Sequence, residues 1–334
     1  KKPSGVWIMS YTNGLDDPSA FFQCTLYSGD GSTQAITNSG NSDLQPDLVV
    51  LKQRGSTEYF NWYDSVRGAT KRLTTSVAGD AGSTISGLTA FGTDGFTVGS
   101  ADTANQNSTN FVSWQWKKST TAGLDIVSYT GNGSAGKTIA HNLGVIPKVV
   151  IVKRLSGTAS WMMYNHSLGN NKYLSLDSTA AEDGGHWNST SPTSSVFSVS
   201  ADQRVNADGA SYIAYVFAEK QGFSKVGGSY VGNGNVDGPF IWTGQKSSFV
   251  MVKKTSGTEN WYIFDNKRDT FNLVDDAITP NRSNAEISNW GVGFDFCANG
   301  FKARATDGAI NAGEDYLYMA FAEEPLVASN FNVA

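Results

Sequence analysis

The stretch KVVIVKRLSGTASWMMYN, residues 148–165, contains a strand, a turn and a return strand. The run from Val149 to Val152 is aliphatic and β-branched without interruption, as expected of a strand covered on both faces. The Ser-Gly-Thr that follows supplies a hairpin connection, with Gly157 where the backbone needs a positive φ. On the return, Trp161 and Met163 share one face and Met162 and Tyr164 the other, the two-residue period of a pleated strand.

The same stretch occurs three times. DLVVLKQRGST (47–57), KVVIVKRLSGT (148–158) and SFVMVKKTSGT (248–258) align through Lys52, Lys153 and Lys253. Upstream, YSGDG, YTGNG and YVGNG place Tyr27, Tyr129 and Tyr230 at intervals of 102 and 101 residues. Downstream, a tryptophan follows each hairpin, Trp62, Trp161 and Trp261, at intervals of 99 and 100 residues. DGFTVG, SVFSVS and NGFKAR then align through Phe96, Phe197 and Phe301, and each copy closes on an Asn, a short turn and an aromatic strand. In one closing strand Tyr212, Ala214 and Val216 share a face, and Ile213, Tyr215 and Phe217 share the other. Repeats of about 100 residues built from short strands, with no helical period of ten residues, predict an all-β chain. The expected architecture is three tandem antiparallel β-sandwich, jelly-roll-like repeats at 27–118, 119–222 and 223–330. Residues 1–26 then form a linker or the end of a preceding domain. The opening KKPSGVWIMS has neither an initiator Met nor a signal-peptide pattern, which reads as a fragment or a processed chain.

Comparing the copies also disposes of a nucleotide site. GNGSAGKT (131–138) fits a phosphate-binding loop, in which backbone N–H groups, Lys137 and Thr138 would hold phosphates and Mg²⁺. The third copy has GNGNVDGPF and the first GDGSTQAI, so the Lys-Thr pair is lost while the glycines persist. Gly144 and Pro147 also break any helix after the loop. The retained feature is a turn.

Composition narrows the function classes. Hydrophobic residues make up 39% and aromatic residues 12% of the 334, enough for substantial cores. Only 16% are charged and the net charge is -5, which leaves no basic footprint for nucleic acid. The longest aliphatic runs are too short to cross a bilayer as helices. Cys24 and Cys297 stand alone without zinc-ligand spacing and read as free thiols. Five N-x-S/T sequons, at Asn107, Asn132, Asn165, Asn188 and Asn281, are what a Ser- and Asn-rich chain yields by chance.

Several residues carry both a chemical and a packing reading. Trp62, Trp161 and Trp261 recur at one strand position, which favours repeat core, with Phe96, Phe197 and Phe301, over sugar stacking. Trp187 and Trp290 lie in variable, turn-rich segments and are the candidate ligand-binding platforms. Asp64 with Arg67, and Asp265 with Arg268, are spaced to fix a hairpin end by a charge-assisted bond, whereas the middle copy has Asn165 and Leu168. Glu219 and Glu323 end two closing strands, with Lys117 at that place in the first copy, and one Glu per copy argues against a paired-carboxylate cleft. Asp30, Asp237 and Asp307 sit beside glycines as Asx turns do, without a full Ca²⁺ loop. His141, His166 and His186 share no motif. The sequence points to no catalytic residue, no metal and no cofactor.

The quoted strings resemble a family. PDLVVLKQR, YDSVRGATKRL, GLTAFGTDGFTVG and NQNSTNFVSWQWK, with AHNLGVIPKVVIVKR, YIAYVFAEKQGFSKVGGSYVGNG, DGPFIWTG and YLYMAFAEEPLVASN, are similar to a repeated domain of tail-fibre-like virion proteins of tailed bacteriophages, particularly those of marine bacteria. The resemblance spans about residues 27–330 and departs at VVLKQR, where the family has an aromatic after the second Val. It implies a non-enzymatic virion surface protein, a tail fibre or adhesin touching a host envelope glycan or protein. Its implied partners are other virion proteins and further copies of itself as a homotrimer, without nucleic acid or membrane insertion. A capsid-decorating or head-fibre module without ligand, and a surface-polysaccharide depolymerase, are the alternatives.

Overall fold

The computed structural model describes residues 13–325 apart from 77, 79–81 and 84–85. The expectations for residues 1–12 and 326–330 lie outside the described residues. Strands dominate, and the described helices are single turns such as Asp102–Asn105 and Gln203–Asn206. None is long and apolar enough to cross a membrane.

Three inner sheets share one order. In sheet I, Phe22–Ser28 pairs with Asn110–Trp116, which pairs with Leu48–Gln53, then Asn61–Asp64, then Lys71–Thr74. Sheet II repeats this with Leu124–Thr130, Ser211–Phe217, Val149–Arg154, Met162–Asn165 and Lys172–Ser175. Sheet III has Ser224–Val231, Asp315–Phe321, Phe249–Lys254 and Trp261–Asp265, and there a bridge from Ile263 to Ile278 stands in place of a fifth strand. Over each lies a smaller outer sheet, in which Gln34–Ile36 pairs with Phe96–Val98, Lys137–Ala140 with Val196–Val199, and Phe240–Trp242 with Gly300–Ala303. First strand on last, and second on next to last, is the nested pairing of a jelly roll. The boundary expected at residue 26 falls inside the edge strand Phe22–Ser28, so the first copy begins earlier.

Alternation sorts side chains between two cores. Tyr212, Ala214 and Val216 face outward into a cluster with Met162, Tyr164 and Phe197. Ile213, Tyr215 and Phe217 face inward, and there the three inner sheets meet in one shared cluster. Rings cross every seam: Trp62 to Trp161 at 5.1 Å, Phe22 to Phe321 at 5.5 Å, and Phe217 to Phe321 at 6.0 Å between centroids. A void of 30 Å³ lined by Leu48, Trp62, Ile151, Phe249 and others is the space left near the axis. The inner apolar face of each sheet is therefore covered by the other sheets of the same chain. No second copy is needed to bury it.

Backbone hydrogen bonds close the ring. The hairpin end of sheet I accepts at Arg54 O from Glu286 N of the third copy (2.7 Å). The hairpin of sheet II donates from Ala159 N to Ala78 O of the first (3.0 Å), and that of sheet III from Glu259 N to Thr179 O of the second (2.9 Å).

The register corrects one alignment. Val50 pairs with Trp62, Ile151 with Met163 and Met251 with Ile263, so Trp62 corresponds to Met163 and not to Trp161. Phe60 is the counterpart of Trp161 and Trp261. All four rings face the shared core and are buried, because a shift of two residues keeps a side chain on its face. Trp161 and Trp261 donate from Nε1 to Thr74 O (2.7 Å) and Ser175 O (3.0 Å) of the preceding copy. Phe60, without a donor, stacks on Trp114 instead.

The glycine-rich turn has a mechanical cause. A Cβ on Gly131 would stand 2.1 Å from Ala207 O, and on Gly232 1.9 Å from Ala312 O, so the chain passes too close for any side chain. Asn206 Oδ1 accepts from Asn132 N (2.9 Å) while its Nδ2 donates to Ser134 O and Ser200 O. Asn105 and Asn311 make the same set in their copies. After the 131–136 turn comes the strand Lys137–Ala140, not a helix, so no helix N-terminus faces the turn.

Candidate functional site

Phe96, Phe197 and Phe301 are buried between inner and outer sheets, opposite Ile36, Ile139 and Ile241. Trp187, expected as a platform, is only 2% exposed and packs edge-on against Tyr164 at 5.7 Å. It is core, because its loop folds down over the outer face of sheet II. Trp290 is half-buried and lies against Tyr262 at 5.0 Å.

The charged candidates act as fasteners. Arg67 donates from N (2.9 Å) and Nε (2.5 Å) to Asp64, and Arg268 does so to Asp265 (3.0 and 2.7 Å). Arg268 also meets Glu286, which binds Arg54 through both oxygens, and these guanidinium groups hold the Glu286 carboxyl below its ordinary range against the opposing effect of burial. Glu219 pairs with Lys225 (2.7 Å) and buried Glu323 with Lys267 (2.9 Å). Asp30 accepts from Ser32 N, Asp307 from Ala309 N, and Asp237 pairs with Lys302. His141 and His186 are buried in different surroundings and His166 is exposed. Both cysteines are free. Asp269, Asp275 and Asp276 bring carboxylate oxygens within 4.8 Å of one another and are the residues that could hold a cation. Their oxygens already accept backbone N–H groups of their own loops, from Asp275, Asp276, Asn289 and Gly291.

Two polar clefts open at seams. Between sheets I and III a cleft of 610 Å³ is lined by Gln53, Arg54, Gln106, Asn110, Glu286 and Ser288, among others. Between II and III a smaller one of 280 Å³ holds Lys172, Glu182, Thr255 and Asp315. The carboxylate among the residues lining the larger cleft, Glu286, is paired with two arginines.

A third pocket, of 230 Å³, combines polar groups with an open aromatic face. It is lined by Glu219, Gln221, Ser224, Trp242, Thr243 and Gly244. Strand Phe240–Trp242 alternates, with Ile241 buried, Phe240 47% exposed and Trp242 59% exposed. The corresponding isoleucines, Ile36 and Ile139, are flanked by Ala35 and Thr37 and by Thr138 and Ala140. The fold thus asks for the isoleucine and not for the rings beside it. Sequence reasoning passed over Trp242; the signal was this aromatic pair, present in one copy only.

The fold and its surface define an all-β chain whose three inner sheets close on one core and whose third outer sheet presents exposed rings. The chain belongs to the family described as domain of unknown function (DUF7483), whose model matches residues 17–325 and so spans all three inner sheets. No curated protein matches it. Among solved structures, one described as "Crystal Structure of the STIV MCP" is similar at a TM-score of 0.17 and 7% identity, over 59% of this chain and 85% of that one. A likeness of that size carries no argument.

Proposed function

We propose that the chain is a surface component of a tailed-phage virion, a tail-fibre-like structural protein that recognises a host envelope glycan and carries out no catalysis. The observation that carries recognition is the exposed Phe240–Trp242 pair, placed on one outer sheet where the other two have small residues. Two exposed aromatic rings on one face of a strand offer a flat apolar platform to a binding partner. The resemblance to phage fibre repeats supports the virion assignment. The body supports it too, because three sheets sealed on a shared core protect their inner faces from solvent outside a cell. The absence of catalysis is supported by the seam cleft, where Glu286 is neutralised by Arg54 and Arg268.

Immunogold labelling of intact particles with antibodies raised against the chain tests this reading. Label on the tail or fibres is expected. Label confined to the head would favour a decorating module, and particles that contain no such chain by mass spectrometry would refute the assignment.

A further inference from the structure

We propose that Trp242 and the 219–224 turn form a subsite for a neutral pyranose ring, an inference that rests on the recognition function proposed above and names its ligand class. A pyranose has one flat face of C–H groups and a rim of hydroxyls. The indole face carries the negative part of the aromatic quadrupole and attracts polarised C–H groups, while a polar rim holds hydroxyls. The pocket supplies both. Trp242 is held ready by Gly244, whose φ is +76° and on which a Cβ would lie 3.1 Å from the indole Cζ2 and Cη2. The ring thus leans on bare backbone along one edge and keeps a face open. Glu219 Oε1 is fixed by Lys225 Nζ at 2.7 Å, which orients its carboxylate as an acceptor for sugar hydroxyls. Exposed Gln221 offers an amide that both donates and accepts.

Charge selects neutral sugars. Glu219 and Lys225 cancel as a pair, and the stem of Lys220 runs over Gly123. No cation is among the residues that line the pocket, and Lys225 is already engaged by Glu219, so an anionic sugar would gain no counter-charge there. A purely apolar partner would leave Glu219 and Gln221 desolvated and unmatched.

Saturation-transfer-difference NMR on the full chain tests the assignment without any virion. The probes are methyl α-glucopyranoside, methyl β-galactopyranoside and methyl N-acetyl-β-glucosaminide, with methyl α-galacturonide as the anionic control. Saturable transfer to ring C–H protons of at least one neutral probe is expected, with a dissociation constant of about millimolar order. Trp242→Ala should weaken it at least about tenfold, while Trp242→Tyr retains most of it and Phe271→Ala, at an exposed ring outside the pocket, leaves it unchanged. Gln221→Ala, a surface change that spares the ring, should weaken it severalfold. No transfer to any neutral probe, equal transfer in Trp242→Ala, or preference for the galacturonide would each overturn the proposal. So would concentration-dependent self-association abolished by Trp242→Ala, which would make the patch a contact between copies. These outcomes leave the immunogold result untouched, so failure of the subsite and failure of the virion assignment are distinguishable.

Discussion

The hydroxyl of Tyr215, in sheet II, donates a 2.9 Å hydrogen bond to Asp64 Oδ2 in sheet I. One step round the ring, Trp114 Nε1 in sheet I donates to Asp265 Oδ2 in sheet III at 3.1 Å. Tyr215 and Trp114 occupy the same place in their closing strands, opposite Ile151 and Val50. The aspartates are those held by Arg67 and Arg268, so each loop fastener also anchors a ring from the neighbouring sheet.

Tyr215→Phe keeps the ring and removes only this inter-sheet bond, leaving the buried Asp64 one donor short. A loss of about 1.5–3 kcal/mol is expected in denaturant unfolding, as for a hydrogen bond to a charged group. A change below about 0.5 kcal/mol would show that the bond contributes nothing net.

Asn206→Ala should cost at least about 2 kcal/mol, because it strands Asn132 N, Ser134 O and Ser200 O together. Asn206→Asp should not restore stability, since a carboxylate cannot donate to the two carbonyls. Full rescue by Asp would contradict this account of the Tyr-x-Gly-x-Gly turn.

Trp161→Ala should cost about 3–5 kcal/mol. Trp161→Phe isolates the polar part: Thr74 O loses its indole donor, at a cost of about 1–3 kcal/mol. If both variants melt like the parent, the shared core is not where this ring lies.

Burial pulls the Lys52 and Lys253 ammonium groups from 10.5 down to about 8, although each donates to hairpin carbonyls. Between those values the unfolded chain binds more protons than the folded one, so stability rises with pH across that window. Below it, the cost of burying the two charges is present in full. The urea midpoint should therefore be higher near about pH 9.5 than near about pH 7.5, and the gain should shrink in Lys52→Met/Lys253→Met. A midpoint that falls over this range would contradict the assignment.

Much of the fold was legible because strand faces are written at period two. Trp161 and Met163 against Met162 and Tyr164 sorted correctly between the two cores. What covered the inner face was not legible, because apolar residues on both faces do not say whether the cover is another chain or the same one. Trp62 was misplaced by two positions because matching tryptophans outweighed counting from Lys52, and the stacking of Phe60 on Trp114 has no local signature. Trp187 looked like a loop residue, and only the tertiary path of that loop buries it. Trp242 was visible in the sequence, but as one letter of a repeat string and not as a departure from Thr37 and Ala140.

Closure of three sheets on one core is the claim on which these stabilities and the placement of the Trp242 pocket rest. Hydrogen exchange with mass spectrometry on the full chain, across a denaturant series, tests it directly. The account predicts that the central strands Leu48–Gln53, Val149–Arg154 and Phe249–Lys254 lose protection together, at one midpoint. Three separate midpoints, one per copy, would show independent sandwiches and contradict it.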